Sequence, residues 1–224
     1  EKGAVAKTLN QIYKNAAEPD LGWFFYNDED PITGKTNSSR GHTKGVLCFD
    51  LKNDTAFWLI HSAPKFPPKG KYDFPESATD NAQTFLCISL KDAETAKAIS
   101  AQMFQAHRPN VYLASSIPAS LQGQSMDPRV ELIKNQVANN GSPYGNFISF
   151  QSKAGNKFRS CAKNKEWNTS AGNDFYNDLV GPMLKESLEV ETWTHGLEPG
   201  TLEGDKVHHI MAMKTVNLAP LGIS

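Results

Sequence analysis

The chain has 224 residues, enough for one large domain or two small ones around a substantial core. An apolar fraction of 39% is ordinary for a globular protein, and no apolar run reaches the roughly 18 residues of a membrane-spanning helix, so no membrane partner is expected. With 23 basic against 24 acidic residues the net charge is −1, not the footprint of a chain that grips nucleic acid at neutral pH.

Acid changes that balance. Protonating all six histidines near pH 5 would carry the chain to about +5, enough to bind a polyanion in acid and release it at neutral pH. The alternative is that the histidines are scattered and their charging has no consequence.

In chain order, residues 3–15 place Val5, Leu9, Ile12 and Tyr13 at helical spacing. Residues 21–26, LGWFFY, form a dense aromatic strand. Residues 27–45 are turn-rich and exposed. Two strands follow, GVLCFD at 45–50 and TAFWLIH at 55–61, joined through Lys52-Asn53-Asp54 as a hairpin. Residues 62–83 hold four prolines and read as a loop, with Pro67-Pro68 a rigid extended piece. Residues 84–90 are another strand, and Asp92 starts a helix with Ala96, Ile99 and Met103 on one face.

Residues 109–128 are loop-like, and 128–139 form a helix with proline in its first turn. Residues 146–152 and 157–163 make a hairpin around Ala154-Gly155-Asn156. Residues 173–187 read as a helix bent or broken at Gly181-Pro182, and 187–195 and 206–214 alternate as strands do. Helices lie between strands, so the class is α/β, or α+β, with a mixed sheet. The opening Glu1-Lys2-Gly3, without Met or a signal-like apolar stretch, reads as a processed or trimmed chain.

Four N-x-S/T sequons, at Asn37, Asn53, Asn140 and Asn168, tilt toward a secreted glycoprotein. Cys48, Cys87 and Cys161 allow at most one internal disulfide, with Cys48 and Cys87 expected as buried thiols within strands.

Chemistry concentrates in SSRGHTKGVLCFD, residues 38–50. His42 and Lys44 share a face if the backbone is extended there, and Gly41 and Gly45 let something bulky approach it closely. A nucleophilic or acid/base imidazole beside a fixed cation suits phosphate chemistry. His61 ends the second strand of the hairpin as His42 precedes the first, so an antiparallel pair would bring the two imidazoles to one edge. Asp50 either orients a histidine or caps the turn. Trp58 and Trp193 read as core rather than base-stacking residues. His195, His208 and His209 come late, without the H-E-x-x-H or C-x-x-C spacing of a zinc site, and there is no nucleophile elbow, P-loop or G-x-G-x-x-G. No cofactor and no metal is expected.

SSRGHTKGVLCFD, AFWLIHSAPKFPP and QTFLCISL, in that order, resemble the deoxyribonuclease II family. So do EKGAVAKTLNQIY and FFYNDEDP near the start, and the stretch from FRSCAKNKEW to ETWTHG. The resemblance implies a phospholipase D-like fold in which two related halves each give one His-x-Lys motif to a single site. It further implies cleavage of double-stranded DNA in acid without a metal, leaving 3′-phosphate ends. By the same resemblance, one histidine would attack phosphorus, the other would protonate the leaving 5′-oxygen, and the lysines would hold the non-bridging oxygens. By position, His42 and Lys44 match the first motif, and His61 matches the histidine of the HSAPKFPP block and could support the site. Arg40 and Lys65, the other cations of these two blocks, are candidates to bind substrate.

The second motif is missing. Neither His208-His209-Ile210 nor His195-Gly196-Leu197 is His-x-Lys. Residues 1–150 would then be the first half, and 151–224 the start of a second half truncated before its motif. Three explanations compete: a C-terminal fragment supplies it, two copies pair so that each gives one motif, or catalysis has been lost. The expected function is therefore a secreted or lysosomal acid endonuclease, complete only with a C-terminal fragment or a second copy. The alternative is an inactive secreted homologue that binds nucleic acid or a protein partner.

Overall fold

The computed structural model describes residues 3–138, 141–190 and 210–212. It divides into two compact units, residues 1–165 and 166–224. In the first unit, helix α1 (Ala4–Asn15) precedes strands β1 (Leu21–Tyr26), β2 (Gly45–Asp50), β3 (Thr55–His61) and β4 (Phe85–Leu90). Helix α2 (Ala93–Gln102) follows, runs on as a wider π turn through Met103–His107, and leads to β5 (Val111–Ala114). Helix α3 (Pro128–Ile133) and the strands β6 (Gly145–Gln151) and β7 (Lys157–Lys163) complete it. The second unit contains helices α4 (Glu166–Thr169) and α5 (Gly181–Leu184) and the strands β8 (Leu188–Val190) and β9 (Ile210–Ala212).

Strands β1 to β5 make one sheet in the order β4-β3-β2-β1-β5. Helices and strands are mixed along the chain, as the expected class requires, but every pairing in this sheet is antiparallel; among the described residues the parallel pair is β8 with β9. Solid apolar runs such as LGWFFY are explained by burial on both faces. Phe24, Tyr26, Leu47, Phe49 and Trp58 meet Ala96 and Ile99 of α2, Met103 just after it, and Val130 and Leu132 of α3 on one side. On the other, Phe25, Val46, Phe57 and Leu59 meet Leu9 and Ile12 of α1 and Phe66 of the proline-rich loop.

That loop is pinned by its carbonyls. Tyr13 Oη donates to Pro68 O (2.8 Å), Tyr112 Oη donates to Pro67 O, and Asn27 Nδ2 donates to Ala63 O (3.1 Å) and Phe66 O (2.9 Å). The helices begin where caps allow. Asp92 accepts from Thr95 N (2.7 Å) at the start of α2, and Asp127 from Arg129 N (2.9 Å) before Pro128 at the start of α3. Buried Arg129 also pairs with Asp127 (2.7 Å), donates to Ala93 O (3.2 Å) and lies over the Phe49 ring.

Three expectations change. Residues 111–114 form a strand, β5, where a loop was expected. Helix α3 ends at Ile133, because Asn135 turns left-handed (φ 56°) and its Oδ1 accepts from Val111 N (3.1 Å), leaving the helix to hold β5. And Cys87 is exposed rather than buried, on the edge strand β4, whereas Cys48 is buried as expected and Cys161 is half-buried; no disulfide joins the three. The break at Gly181-Pro182 takes the form of a π turn, Tyr176–Val180, handing over to α5. Trp58 is core, whereas Trp193, His195, His208 and His209 lie outside the described residues. No helix among the described residues is long and apolar enough to cross a membrane.

Candidate active site

The centre of the site is a residue the sequence reading passed over, Asp28. Strand β1 ends at Tyr26, and the chain leaves it through Asn27 and Asp28. Asn27 is fully buried; its N–H donates to Asn110 O (3.0 Å), its carbonyl accepts from Asn110 Nδ2 (3.0 Å), and its Oδ1 accepts from Glu29 N (2.9 Å). Asp28 is thereby presented at the edge of the sheet. Extending the β1–β2 register past Tyr26↔Gly45 sets Asp28 level with Thr43, between His42 and Lys44.

Both motif residues converge on it. His42 Nδ1 lies 2.6 Å from Asp28 Oδ2, and Lys44 Nζ donates to Asp28 Oδ1. An ionised carboxylate only accepts, so Nδ1 carries the proton and Nε2 is left as the outward nitrogen. The His42 side chain is 86% exposed, whereas those of Asp28 and Lys44 are each 7% exposed. Burial raises the Asp28 pKa, but the hydrogen bond and charge of Lys44, then those of His42, outweigh it, and the net shift is downward.

The backbone around His42 is a tight turn rather than a strand, with Thr43 N donating to Gly41 O (2.8 Å). Convergence on one carboxylate, not period-two alternation, therefore brings His42 and Lys44 together. The close approach at the glycines is made by the protein itself. A Cβ on Gly41 would stand 1.8 Å from His107 O, and one on Gly45 2.4 Å from Tyr26 Oη and 2.5 Å from Leu59 O. Gly41 N donates to Arg108 O (2.8 Å), locking the turn against the end of α2. Gly41→Ala is thus expected to push the His42 turn off the His107 carbonyl, costing about 2 kcal/mol or more of stability and lowering any His42-dependent activity at least tenfold. Urea unfolding and an activity assay on the folded variant check both.

His61 and His42 sit at the same edge, with His61 N donating to Lys44 O (3.2 Å), but their rings do not share a partner. His61 is 6% exposed, its ring stacked on Phe85 (centroids 5.7 Å) and edge-on to Phe66 (5.3 Å). Burial, and then the charge of Lys44, push its pKa down to about 3. His107 behaves alike, burial taking it down to about 4.

Arg40 is half-buried and donates from Nη2 to Asn135 O (3.1 Å), at the rim of a groove it shares with Arg108 and Glu131. Lys65 is exposed, on the loop whose Ala63 and Phe66 carbonyls Asn27 holds. Asp50 caps its turn, accepting from Lys52 N and Asn53 N (3.0 Å each), and does not reach a histidine. Of the sequon asparagines, Asn37 spends its Nδ2 on Asn110 Oδ1 (3.0 Å), Asn53 on Asp50 Oδ2 (2.7 Å) and Asn168 on Asn173 O (2.9 Å); Asn140 lies outside the described residues. Among the described residues no group of three or more His, Cys, Asp or Glu side chains could hold a metal ion.

Buried carboxylate, oriented imidazole and adjacent ammonium form a device for nucleophilic or acid/base work at an anionic centre. Sequence comparison relates the chain to known proteins. A family model described as Deoxyribonuclease II matches residues 1–220. A Burkholderia pseudomallei protein named "Putative deoxyribonuclease-2" is 39% identical over 224 residues, covering 99% of this chain and 60% of its own length. Plancitoxin-1 of Acanthaster planci is 38% identical over 196 residues, 86% of this chain and 52% of its own. Deoxyribonuclease-2-alpha of Mus musculus is 33% identical over 214 residues, 91% and 56% respectively. The chain thus spans between about half and three fifths of the length of these relatives.

Proposed function

Because the chain belongs to the deoxyribonuclease II family, we propose that it is the His42-bearing part of a secreted or lysosomal acid endonuclease that hydrolyses DNA phosphodiesters without a metal. The observation that carries this reading is the 2.6 Å contact between His42 Nδ1 and Asp28, which leaves Nε2 of an exposed ring as the reactive nitrogen.

The lone pair of Nε2 attacks phosphorus and the P–O5′ bond breaks. A second histidine gives its proton to the leaving 5′-oxygen. Water, giving a proton to that second histidine, then attacks phosphorus and the Nε2–P bond breaks, leaving a 3′-phosphate, a free His42 imidazole and the second histidine protonated again. As charge moves from the ring to phosphorus, Asp28 stabilises the positive imidazole and Lys44 supplies a fixed cation beside it. The second histidine and its lysine come from residues outside this sequence or from a second copy. Arg40 and Lys65 are the cations proposed for flanking phosphates, and the His61 N–H holds the Lys44 backbone carbonyl. An acid optimum follows from the need for one histidine to start protonated and the other not.

The test is nicking of supercoiled plasmid at pH 5 in EDTA by the assembled protein, beside His42→Ala. The parent is expected to cut, leaving 3′-phosphates, and His42→Ala to fall by at least 10³-fold. No cutting by the assembled parent, or equal cutting by His42→Ala, overturns the proposal.

A further inference from the structure

Between Glu131 and Glu166 the chain has no carboxylate side chain, yet it carries six lysines and arginines. That is an unusual local excess in a chain whose net charge is −1. The β6–β7 ribbon occupies most of this stretch, and its pairing sorts the residues by face. Ile148, Phe150, Phe158 and Ser160 turn inward. The first three pack against the core, and Gln102 of α2 donates to Ser160 O (2.8 Å). The outer face carries Phe147, Ser149, Gln151, Lys157 and Arg159, all exposed.

Three observations set this face apart. Phe147 is 50% exposed, a large ring held in water on a regular strand. Lys157 and Arg159, two residues apart on one strand, and Lys153 at the hairpin tip make no ion pair among the described residues. Asp92 and Glu94, at the start of α2, line one groove with Lys157 and Arg159, but the cations that approach them are Lys91 (4.0 Å) and Lys97 (3.5 Å). Direction matters as well. Helix α2 begins at the β2–β3 turn, where Ala93 N donates to Asp54 Oδ1 (3.0 Å), and its continuation ends at His107, whose carbonyl touches Gly41 beside His42. The ribbon lies along α2, its tip at the first of these ends. Gly145, which opens β6, lies toward the other, where Gln105 Nε2 donates to Pro143 O (3.1 Å).

We propose that the outer face of the β6–β7 ribbon is a second nucleic-acid contact surface, on which Lys153, Lys157 and Arg159 grip the phosphate backbone of duplex DNA and Phe147 packs against it. The ribbon's two strands stand about 5 Å apart, within the roughly 12 Å width of the major groove. Cations without base-reading partners bind any sequence, which is what an endonuclease of broad specificity needs from a surface away from its chemistry. This inference deepens the nuclease reading and rests on it for the identity of the polyanion.

The experiment titrates the full chain with a fluorescein-labelled 30-base-pair duplex by anisotropy, at pH 5 and across 50–300 mM salt, beside Lys153→Gln/Lys157→Gln/Arg159→Gln and Phe147→Ser. All four positions are solvent-facing, so both variants should fold. Each neutralised phosphate contributes about 0.9 to the slope of log K against log salt, so the triple variant is expected to lose between about 2 and 3 from that slope and at least tenfold in affinity at 100 mM. Phe147→Ser should lose affinity with little change of slope. An unchanged slope in the triple variant overturns the ribbon as a DNA surface, as does a parent that binds no duplex. Duplex binding by the parent, together with no plasmid cutting by the assembled protein at pH 5 in EDTA, instead removes the nuclease reading and leaves the ribbon's role standing.

Discussion

Asp28→Asn is expected to lower plasmid nicking by about 10³- to 10⁴-fold while leaving the His42 ring close to its place. The carboxylate can only accept a hydrogen bond, and that forces the proton onto Nδ1 and the lone pair onto Nε2. A carboxamide can turn its NH₂ toward the ring. Nδ1 then becomes the acceptor, Nε2 takes the proton, and the nucleophile is lost. Stability falls as well, because Lys44 is left as a buried ammonium without its counter-ion, a loss of about 3–5 kcal/mol.

The two effects separate in the double variant Asp28→Asn/Lys44→Met. Removing both charges should restore much of the stability and none of the activity. The proposed acid range does not disarm Asp28. Its net pKa shift is downward, so its stabilising contribution is complete above the ordinary carboxylate range and is lost only as pH falls through the lowered value. A folded Asp28→Asn protein that nicks within threefold of the parent would end the orienting role assigned here.

Asp28 also marks the limit of what could be read from the chain. The strands β1 to β4 were legible because each is a continuous apolar or aromatic run closed by turn residues, and α1 because Leu9 and Ile12 keep helical spacing. His42 and Lys44 were legible as a local pattern. Asp28 was not, although FFYNDEDP stood out, because its role depends on the pairing of β1 with β2 and on Asn27 being locked to Asn110. Strand β5 escaped for a similar reason. Four residues are too few to show alternation, and they become a strand only by pairing with Phe24, Phe25 and Tyr26. The end of α3 was hidden in one asparagine whose left-handed turn serves Val111 rather than the helix. Gly41 and Gly45 announce a close approach to the backbone but not its source. What comes close is a carbonyl of α2's continuation and a tyrosine of β1, neither of them near in sequence.

The same dependence on tertiary packing produces the second large effect, which acts on stability. His61 is packed against Phe66 and Phe85 and is neutral in the folded chain down to about pH 3, while in the unfolded chain it titrates near the ordinary imidazole value of about 6.5. Below that value the unfolded state binds the extra proton, so stability falls as pH falls. The loss starts near pH 6.5 and grows until the folded group itself protonates. At pH 5 it amounts to about 2 kcal/mol from His61, and His107 adds in the same direction. A nuclease working in acid would therefore do so with a reduced folding margin, which bound DNA would offset by mass action. His61→Phe, with His61→Leu as the smaller replacement, removes the titration. Urea unfolding at pH 7.5 and pH 5 should find the parent losing about 2 kcal/mol more than either variant across that interval. Equal losses would mean that His61 is hydrated or charged in the folded chain. Nicking by the folded variants at pH 5 should stay within about tenfold of the parent, because only the His61 backbone N–H, which both variants keep, holds Lys44. A collapse comparable to that of His42→Ala would place the His61 ring in the chemistry itself.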